Sequence, residues 1–344
     1  MSARQLRLCL VGFGKAGRAF AEMILDEHDR LVAELGLDLV VTGICTSRFG
    51  SVTSPTGLDL RNALDNAYAQ TRQGPSVEST DFVATCLADI VVETTPLEPL
   101  TGEVGIAITR AALTAGRSVV SANKGPVAHG LRDLKKLADE SGLHYRYESA
   151  VADGLPVFSL VERTLPGASI TAMTGLLNST SGIVLESLSQ GISLSTAIQQ
   201  AEALGILEDD PHYDLDGWDA AVKLCALSAT IWDKPLPIEL VERTPVSEDL
   251  STRAVGARER GHRLVSLASL RREPSDQSVH AKVDVVEIGP DSVFFPLTGT
   301  SLGIQFESKL LRPVTISCSD PRLADTAYGL LADVLQIGLA DSSS

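Results

Sequence analysis

The sequence predicts an α/β domain built on a parallel sheet, followed by an α+β domain, and three observations carry that expectation. Through the first 150 residues, unbroken Val/Ile/Leu runs such as "LRLCLVGFG", "DIVVETTP" and "RSVVSANK" alternate with helix-spaced segments. Strands apolar on both faces belong to a parallel sheet covered by helices on both sides. A glycine cluster, "VGFGKAG", stands at the junction of the first strand and the first helix. After residue 150 the texture changes to mixed helices and then strand-like segments between 279 and 318. At 344 residues the chain is also long for a single core. The expected division is 1–150 for an α/β domain of nucleotide-binding type and 151–318 for the α+β domain. Residues 319–344 would form a final helix packing back on the first domain.

In chain order, "KAGRAFAEMILDEHDRLVAEL" has helical spacing, and "LDLVVTGICTS" is the second strand. "SRFGSVTSPTGLDL", rich in Ser, Gly and Pro, reads as a long loop. A helix near 102–115, the strand "RSVVSANK", a helix from Pro126 to about Ser141 and the strand "LHYRYES" complete the first domain. In the second, "SITAMTGLLNSTSGIVLESLSQG" reads as strand, turn and helix, and "SLSTAIQQAEALG" as a helix capped by Ser193 or Ser195. The segments "VHAKVDVVEIG", "SVFFPL", "GIQFES" and "PVTISCS" read as strands.

Composition narrows the function classes. Hydrophobic residues make up 44% and charged residues 21%, which suits a folded globular protein. A net charge of −15 argues against a nucleic-acid partner, which needs a basic face. The five cysteines (Cys9, Cys45, Cys86, Cys225 and Cys318) form no CxxC and no paired spacing; three fall in apolar strand-like or helical runs and read as small core residues of a reducing compartment. No apolar stretch approaches the roughly 20 residues that span a bilayer, and the N-terminus runs straight into a strand. A cytoplasmic protein without a membrane partner is expected.

Gly12, Gly14 and Gly17 stand at GxGxxG spacing, with Phe13, Lys15 and Ala16 between them. In a strand-turn-helix context this pattern brings a pyrophosphate against a helix N-terminus. An NAD site usually has an acid at the end of the second strand for the ribose 2′-hydroxyl. Here that place holds Thr46, Ser47 and Arg48, which suit a 2′-phosphate, so NADP is expected, with NAD as the alternative. Thr94, Thr95, Ser121 and Lys124 end two further strands at the edge where such sheets bind ligands.

"DLDGWDAAVKLCALSAT" carries the second candidate site. Asp219 and Lys223 are i, i+4 neighbours on one helical face. Trp218, Ala220, Ala221, Val222, Leu224, Cys225, Ala226 and Leu227 make the helix apolar on nearly every side. Such a helix is buried, so its charges must face a pocket or a partner.

With these segments quoted, the chain resembles the homoserine dehydrogenase family. "VGFGKAGR", "DIVVETTP", "VVSANKGPVA", "YESAVADGLPVF", "ITAMTGLLNSTSGIVL", "AEALGILEDDPHYDLDGWDAAVKL" and "LLADVL" follow that family's order across most of residues 5 to 335. The resemblance implies a Rossmann-type domain, a mixed-sheet catalytic and dimerisation domain, and a homodimer. It implies NAD(P)-dependent interconversion of L-homoserine and L-aspartate 4-semialdehyde, without a regulatory domain of the ACT type. It also implies roles: Lys223 as acid/base at the substrate hydroxyl, and Lys124 near nicotinamide and substrate. Glu208 and Asp219 would hold the α-ammonium, with Asn178 and Thr180 in the substrate pocket. Glu148, Val151, Asp153 and Leu155 would surround a sodium or potassium ion. The chain departs from the family at Ser179, where glycine is usual, at Asp153, and at "SCSDPRLAD", where a glycine-rich turn is usual. A dehydrogenase of another hydroxy compound and a non-catalytic dinucleotide sensor are the competing expectations.

Overall fold

The structure, a computed structural model, describes residues 3–65, 77–203 and 211–340. The chain divides into two compact units: Met1–Pro156 with Arg322–Ser344, and Val157–Pro321.

In the first unit, β1 (Arg4–Val11), β2 (Leu37–Thr46), β3 (Gly50–Thr53), β4 (Ile90–Glu93), β5 (Ser118–Ser121) and β6 (Tyr145–Arg146) form one sheet in the order β3-β2-β1-β4-β5-β6. All pairs are parallel except β2 with β3. The chain leaves β1 toward β2 on one side and returns to β4 on the other, so the order reverses between β1 and β4. That reversal is where open α/β sheets bind ligands.

The expected long loop after Thr46 instead folds into β3. Residues 47–49 make a tight turn, and Gly50 takes φ 79° to close the hairpin. Turn composition hid the short β-branched run "SVT" behind it.

Leu8, Leu10, Phe20, Ile24, Ile44, Ile90 and Val120 belong to the unit's core, together with Ala327, Leu330, Val334 and Ile337 of the final helix, Leu323–Ala340. That helix is long and apolar enough to cross a bilayer by length and composition. Ala327, Leu330, Leu331, Val334 and Ile337 lie in this core instead, and Arg4 Nη1 donates to the Gly338 carbonyl at 2.9 Å.

In the second unit, β7 (Ile170–Leu176), β8 (Glu242–Arg243), β9 (Arg263–Arg272), β10 (Val279–Ile288), β11 (Leu302–Ser308) and β12 (Val314–Cys318) form a mixed sheet in the order β12-β11-β7-β9-β10-β8. Helices Ser179–Ser189, Trp218–Trp232 and Ser251–Glu259 pack on it. β9 and the helix Ser251–Glu259 were not among the expected elements. β9 pairs with β10 over its full length and with β7 on its other edge. Its serines and terminal arginines concealed a strand buried mainly by its neighbours. "SVFFPL" forms turns rather than a strand: Phe294 and Leu297 are buried, but Pro296 interrupts any ladder.

Candidate active site

At the carboxyl edge of the first sheet, Gly12 leaves β1 with φ 95°. A Cβ there would lie 2.5 Å from the Thr94 carbonyl oxygen, and one on Gly17 would lie 2.6 Å from the Gly12 oxygen. These two glycines are therefore required by the protein's own backbone. Gly14 differs, because a Cβ on it would meet nothing within 4 Å. It precedes the helix Lys15–Arg30, so the open space lies at a helix N-terminus, an end whose free amides favour an anion. Lys15 and Ala16 open that helix, and Phe13 lies under the Arg18 guanidinium, 5.6 Å from its ring centre. Arg48 is exposed in the turn after β2, where Thr46 Oγ1 accepts from the Phe49 amide at 2.9 Å.

The polar residues ending β4 and β5 are bound to one another. Thr94 Oγ1 donates to the Gly12 carbonyl at 3.1 Å. Thr95 donates its amide (2.9 Å) and its hydroxyl to Glu93 Oε1. Ser121 Oγ donates to Glu93 Oε2 at 2.7 Å, and Asn123 Nδ2 to Oε1 at 3.3 Å. Glu93 is fully buried, and burial pushes its carboxyl above the usual range while these donors pull it down. Lys124 is not a strand-end residue. It is the first residue of the helix Lys124–Glu140, capped by Asn123 Oδ1 accepting from the Gly125 amide at 3.0 Å.

Glu148, Val151, Asp153 and Leu155 lie on a segment clamped by the final helix. The Glu148 amide donates to Asp333 Oδ2, Ser149 Oγ to the Thr326 carbonyl and Thr326 Oγ1 to Asp153 Oδ1, each at 2.8 Å. Val151 lies in the short helix Ser149–Ala152, and Asp153 ends it with φ 53°.

In the second unit, Lys223 Nζ lies 2.9 Å from Asp219 Oδ2 and donates to the Leu177 carbonyl at 2.6 Å. Both side chains are largely buried, at 14% and 7% exposed. Asn178 Nδ2 bridges Asp219 Oδ2 (2.9 Å) and Asp214 Oδ1 (2.7 Å), and its Oδ1 caps the helix Ser179–Ser189 through the Ser181 amide. Thr180 is buried in the first turn of that helix. Arg243 stacks 3.6 Å over the Trp218 ring at the start of the lysine helix. Glu208 lies outside the described residues. The departing turn is a built structure: Asp320 has φ 51° and accepts from Thr300 Oγ1 at 2.8 Å.

A dinucleotide turn and a buried acid–lysine cluster thus occupy the two units. The family model for the homoserine dehydrogenase NAD-binding domain matches residues 12–148, and the one for homoserine dehydrogenase itself matches residues 156–335. The chain belongs to the homoserine dehydrogenase family. That family comprises NAD(P)-dependent oxidoreductases of aspartate-family amino-acid biosynthesis. The NAD(+)-dependent homoserine dehydrogenase of Pseudomonas canavaninivorans is 33% identical over 340 residues, covering 97% of this chain and 96% of the relative. The homoserine dehydrogenase of Methanocaldococcus jannaschii is 28% identical, covering 96% and 98%. Among solved structures, a putative homoserine dehydrogenase from Archaeoglobus fulgidus superposes with TM-score 0.85 at 25% identity, covering 96% and 99%. A hyperthermophilic archaeal homoserine dehydrogenase in complex with NADPH shares the fold, with TM-score 0.80 at 24% identity and 98% of both chains covered.

Two residues of the site escaped the sequence reading, Glu93 and Asp214. Each had a signal. Glu93 is an acid ending an apolar strand and followed by two hydroxyl residues, and a buried acid needs such donors. Asp214 sits five residues before Asp219, one short helix earlier.

Proposed function

We propose that this homoserine dehydrogenase family member interconverts L-homoserine and L-aspartate 4-semialdehyde with Lys223 as the acid/base group. The carrying observation is the buried Lys223–Asp219–Asn178 cluster. An alcohol can be oxidised only if its hydroxyl proton is removed as hydride leaves the carbon. A lysine beside that oxygen takes the proton and stabilises the developing alkoxide charge. In reduction the ammonium of Lys223 returns the proton to the oxygen. Bound NAD(P) supplies or accepts the hydride.

Asp219, with Glu208, is the proposed partner for the substrate's α-ammonium, and Asn178 and Thr180 line the same pocket. In the free protein Lys223 neutralises Asp219; a substrate ammonium takes over that role and frees the lysine for the hydroxyl. The acids favour an amino-acid substrate over a neutral polyol. Gly12, Phe13, Gly14, Lys15, Ala16 and Gly17 are the proposed pyrophosphate contacts. Thr94, Thr95, Ser121 and Lys124 edge the nicotinamide end. NADP is the proposed dinucleotide because β2 ends without an acid and Arg48 follows in the exposed turn. NAD is the second reading, favoured by the similarity to the NAD(+)-dependent enzyme. A sodium or potassium ion held by Glu148 with the carbonyls of Val151, Asp153 and Leu155 belongs to the same proposal, as do the cytoplasm and a homodimer. None of the five cysteines is in a disulfide, which suits a reducing compartment.

Lys223→Ala tests the central assignment. Turnover should vanish while dinucleotide binding persists. Wild-type turnover would overturn the assignment, and loss of both properties would signal misfolding.

A further inference from the structure

We infer that Glu93 is a positioning residue for Lys124: its buried carboxylate ties together the carboxyl ends of β4 and β5 and sets the first turn of the Lys124–Glu140 helix. This rests on the proposed place of Lys124 at the nicotinamide end of the cofactor.

Four donors converge on the carboxylate, namely the Thr95 amide and hydroxyl, Ser121 Oγ and Asn123 Nδ2. All come from residues that follow or end the two strands, at the ligand edge. The sheet below them is apolar, with Val91, Val92, Val119 and Val120 fully buried. Burying a carboxylate there costs free energy unless donors compensate it, and an apolar residue would serve cohesion alone at least as well. What the carboxylate adds is geometric constraint on the loops.

The constraint reaches Lys124 through Asn123. Ser121 Oγ accepts from the Asn123 amide at 3.0 Å while donating to Glu93. Asn123 Nδ2 donates to Glu93, and its Oδ1 caps the helix at Gly125. Both ends of the Asn123 amide are thus committed, and the residue after it is Lys124. A lysine in the first turn sits at the unfavourable end of the helix dipole, and that turn contains no acid. The helix register that places it there is held by the cap and by the carboxylate behind the cap. Space around the cap is tight, since a Cβ on Gly105 would come within 2.8 Å of Asn123 Nδ2. On the other side, Thr94 Oγ1 bonds the Gly12 carbonyl, so the same cluster adjoins the glycine turn.

The test is a double-mutant cycle on the full-length protein, with kcat and KM measured for wild type, Glu93→Gln, Lys124→Ala and the double variant. Glutamine keeps the shape but presents an amide donor to Ser121 Oγ, which reverses one of the four bonds. The expected result is a fall in kcat of roughly tenfold or more for Glu93→Gln, as for small misplacements of a reacting group. KM for the dinucleotide should change by less than about threefold, and adding Glu93→Gln to Lys124→Ala should cost nothing further. Asn123→Ala, which leaves the carboxylate in place, should reproduce the kcat loss should Glu93→Gln fold poorly. Wild-type kcat in both Glu93→Gln and Asn123→Ala would overturn the proposal. So would losses that multiply in the double variant, which a merely structural role produces. Wild-type kcat in Lys124→Ala alone would overturn the assignment of Lys124, and the positioning role with it.

Discussion

Gly329→Ala sets two opposing effects against each other, and the structure decides the sign. Gly329 lies inside the final helix, where exchanging glycine for alanine ordinarily gains about 1 kcal/mol. Here the new Cβ would sit 2.3 Å from Ser149 Oγ, 3.0 Å from the Asp153 carbonyl oxygen and 3.5 Å from Gly154 Cα. Ser149 can swing its hydroxyl away, but only by giving up its bond to the Thr326 carbonyl, a loss of about 1 kcal/mol. The Asp153 carbonyl is backbone and cannot yield as cheaply, so overpacking adds about 1–3 kcal/mol. After the helix gain is subtracted, net destabilisation of about 1–3 kcal/mol remains. Urea unfolding of the variant, followed by tryptophan fluorescence and by circular dichroism, measures it. Ser149→Ala in the same chain should recover part of the loss, because it removes the nearest clashing atom. A midpoint raised above wild type would refute the reasoning, since it would mean that the helix stands clear of the 148–155 segment. Any cation dependence of the activity should weaken together with stability, because the same contacts shape the candidate ion loop.

Three further outcomes follow from the geometry. Gly14→Ala should leave the free protein's melting temperature unchanged yet weaken dinucleotide binding about tenfold or more, the equivalent of roughly 1.4 kcal/mol; equal affinity by fluorescence titration would contradict the assigned cradle. Gly12→Ala should instead destabilise the free protein by about 2–4 kcal/mol, through its positive φ and its clash with Thr94, and an unchanged unfolding midpoint would count against it. The Thr101 hydroxyl, followed by the amides of Thr101, Leu100 and Gly102, outweighs slight burial and holds the Glu98 carboxyl at about 2. Because the folded value is depressed, this carboxylate's contribution to the turn is present above the ordinary value of 4.5 and is lost as pH falls through about 2. An NMR titration should show that value moving back toward 4.5 in Thr101→Val, and no movement would refute the assignment.

The sequence was most informative where one residue type alone satisfies a backbone demand. Gly12 and Gly17 meet that condition, because their positions touch the Thr94 and Gly12 carbonyls. Asp219 and Lys223 were legible for a different reason: helical period puts them on one face, and a helix apolar all round leaves that pair nowhere to go but a buried site. Hydroxyl residues were harder to read. Thr95 and Ser121 stand at a ligand edge, yet both hydroxyls turn inward onto Glu93. For Thr95 the acid lies two residues back, at the end of the strand it follows, but for Ser121 no local pattern shows that its hydroxyl meets a neighbouring strand's acid, since that depends on pairing between residues 28 apart. β9 was missed for a related reason, because Ser266, Ser269 and the terminal arginines break the period of two, and the strand is defined by its pairing with β10 and β7. Asn178 was placed by resemblance alone; its bridging of Asp214 and Asp219 depends on a contact some 40 residues away in sequence.

The most direct measurement is a coupled assay of the purified protein with L-aspartate 4-semialdehyde, with NADPH and NADH side by side, for wild type and Lys223→Ala. Wild type should oxidise the reduced cofactor only when the semialdehyde is present, with NADPH the better donor. Lys223→Ala should bind the cofactor and turn nothing over. Absence of turnover by folded wild-type protein with either cofactor, with and without potassium, would contradict the proposed activity, and full turnover by Lys223→Ala would contradict its mechanism.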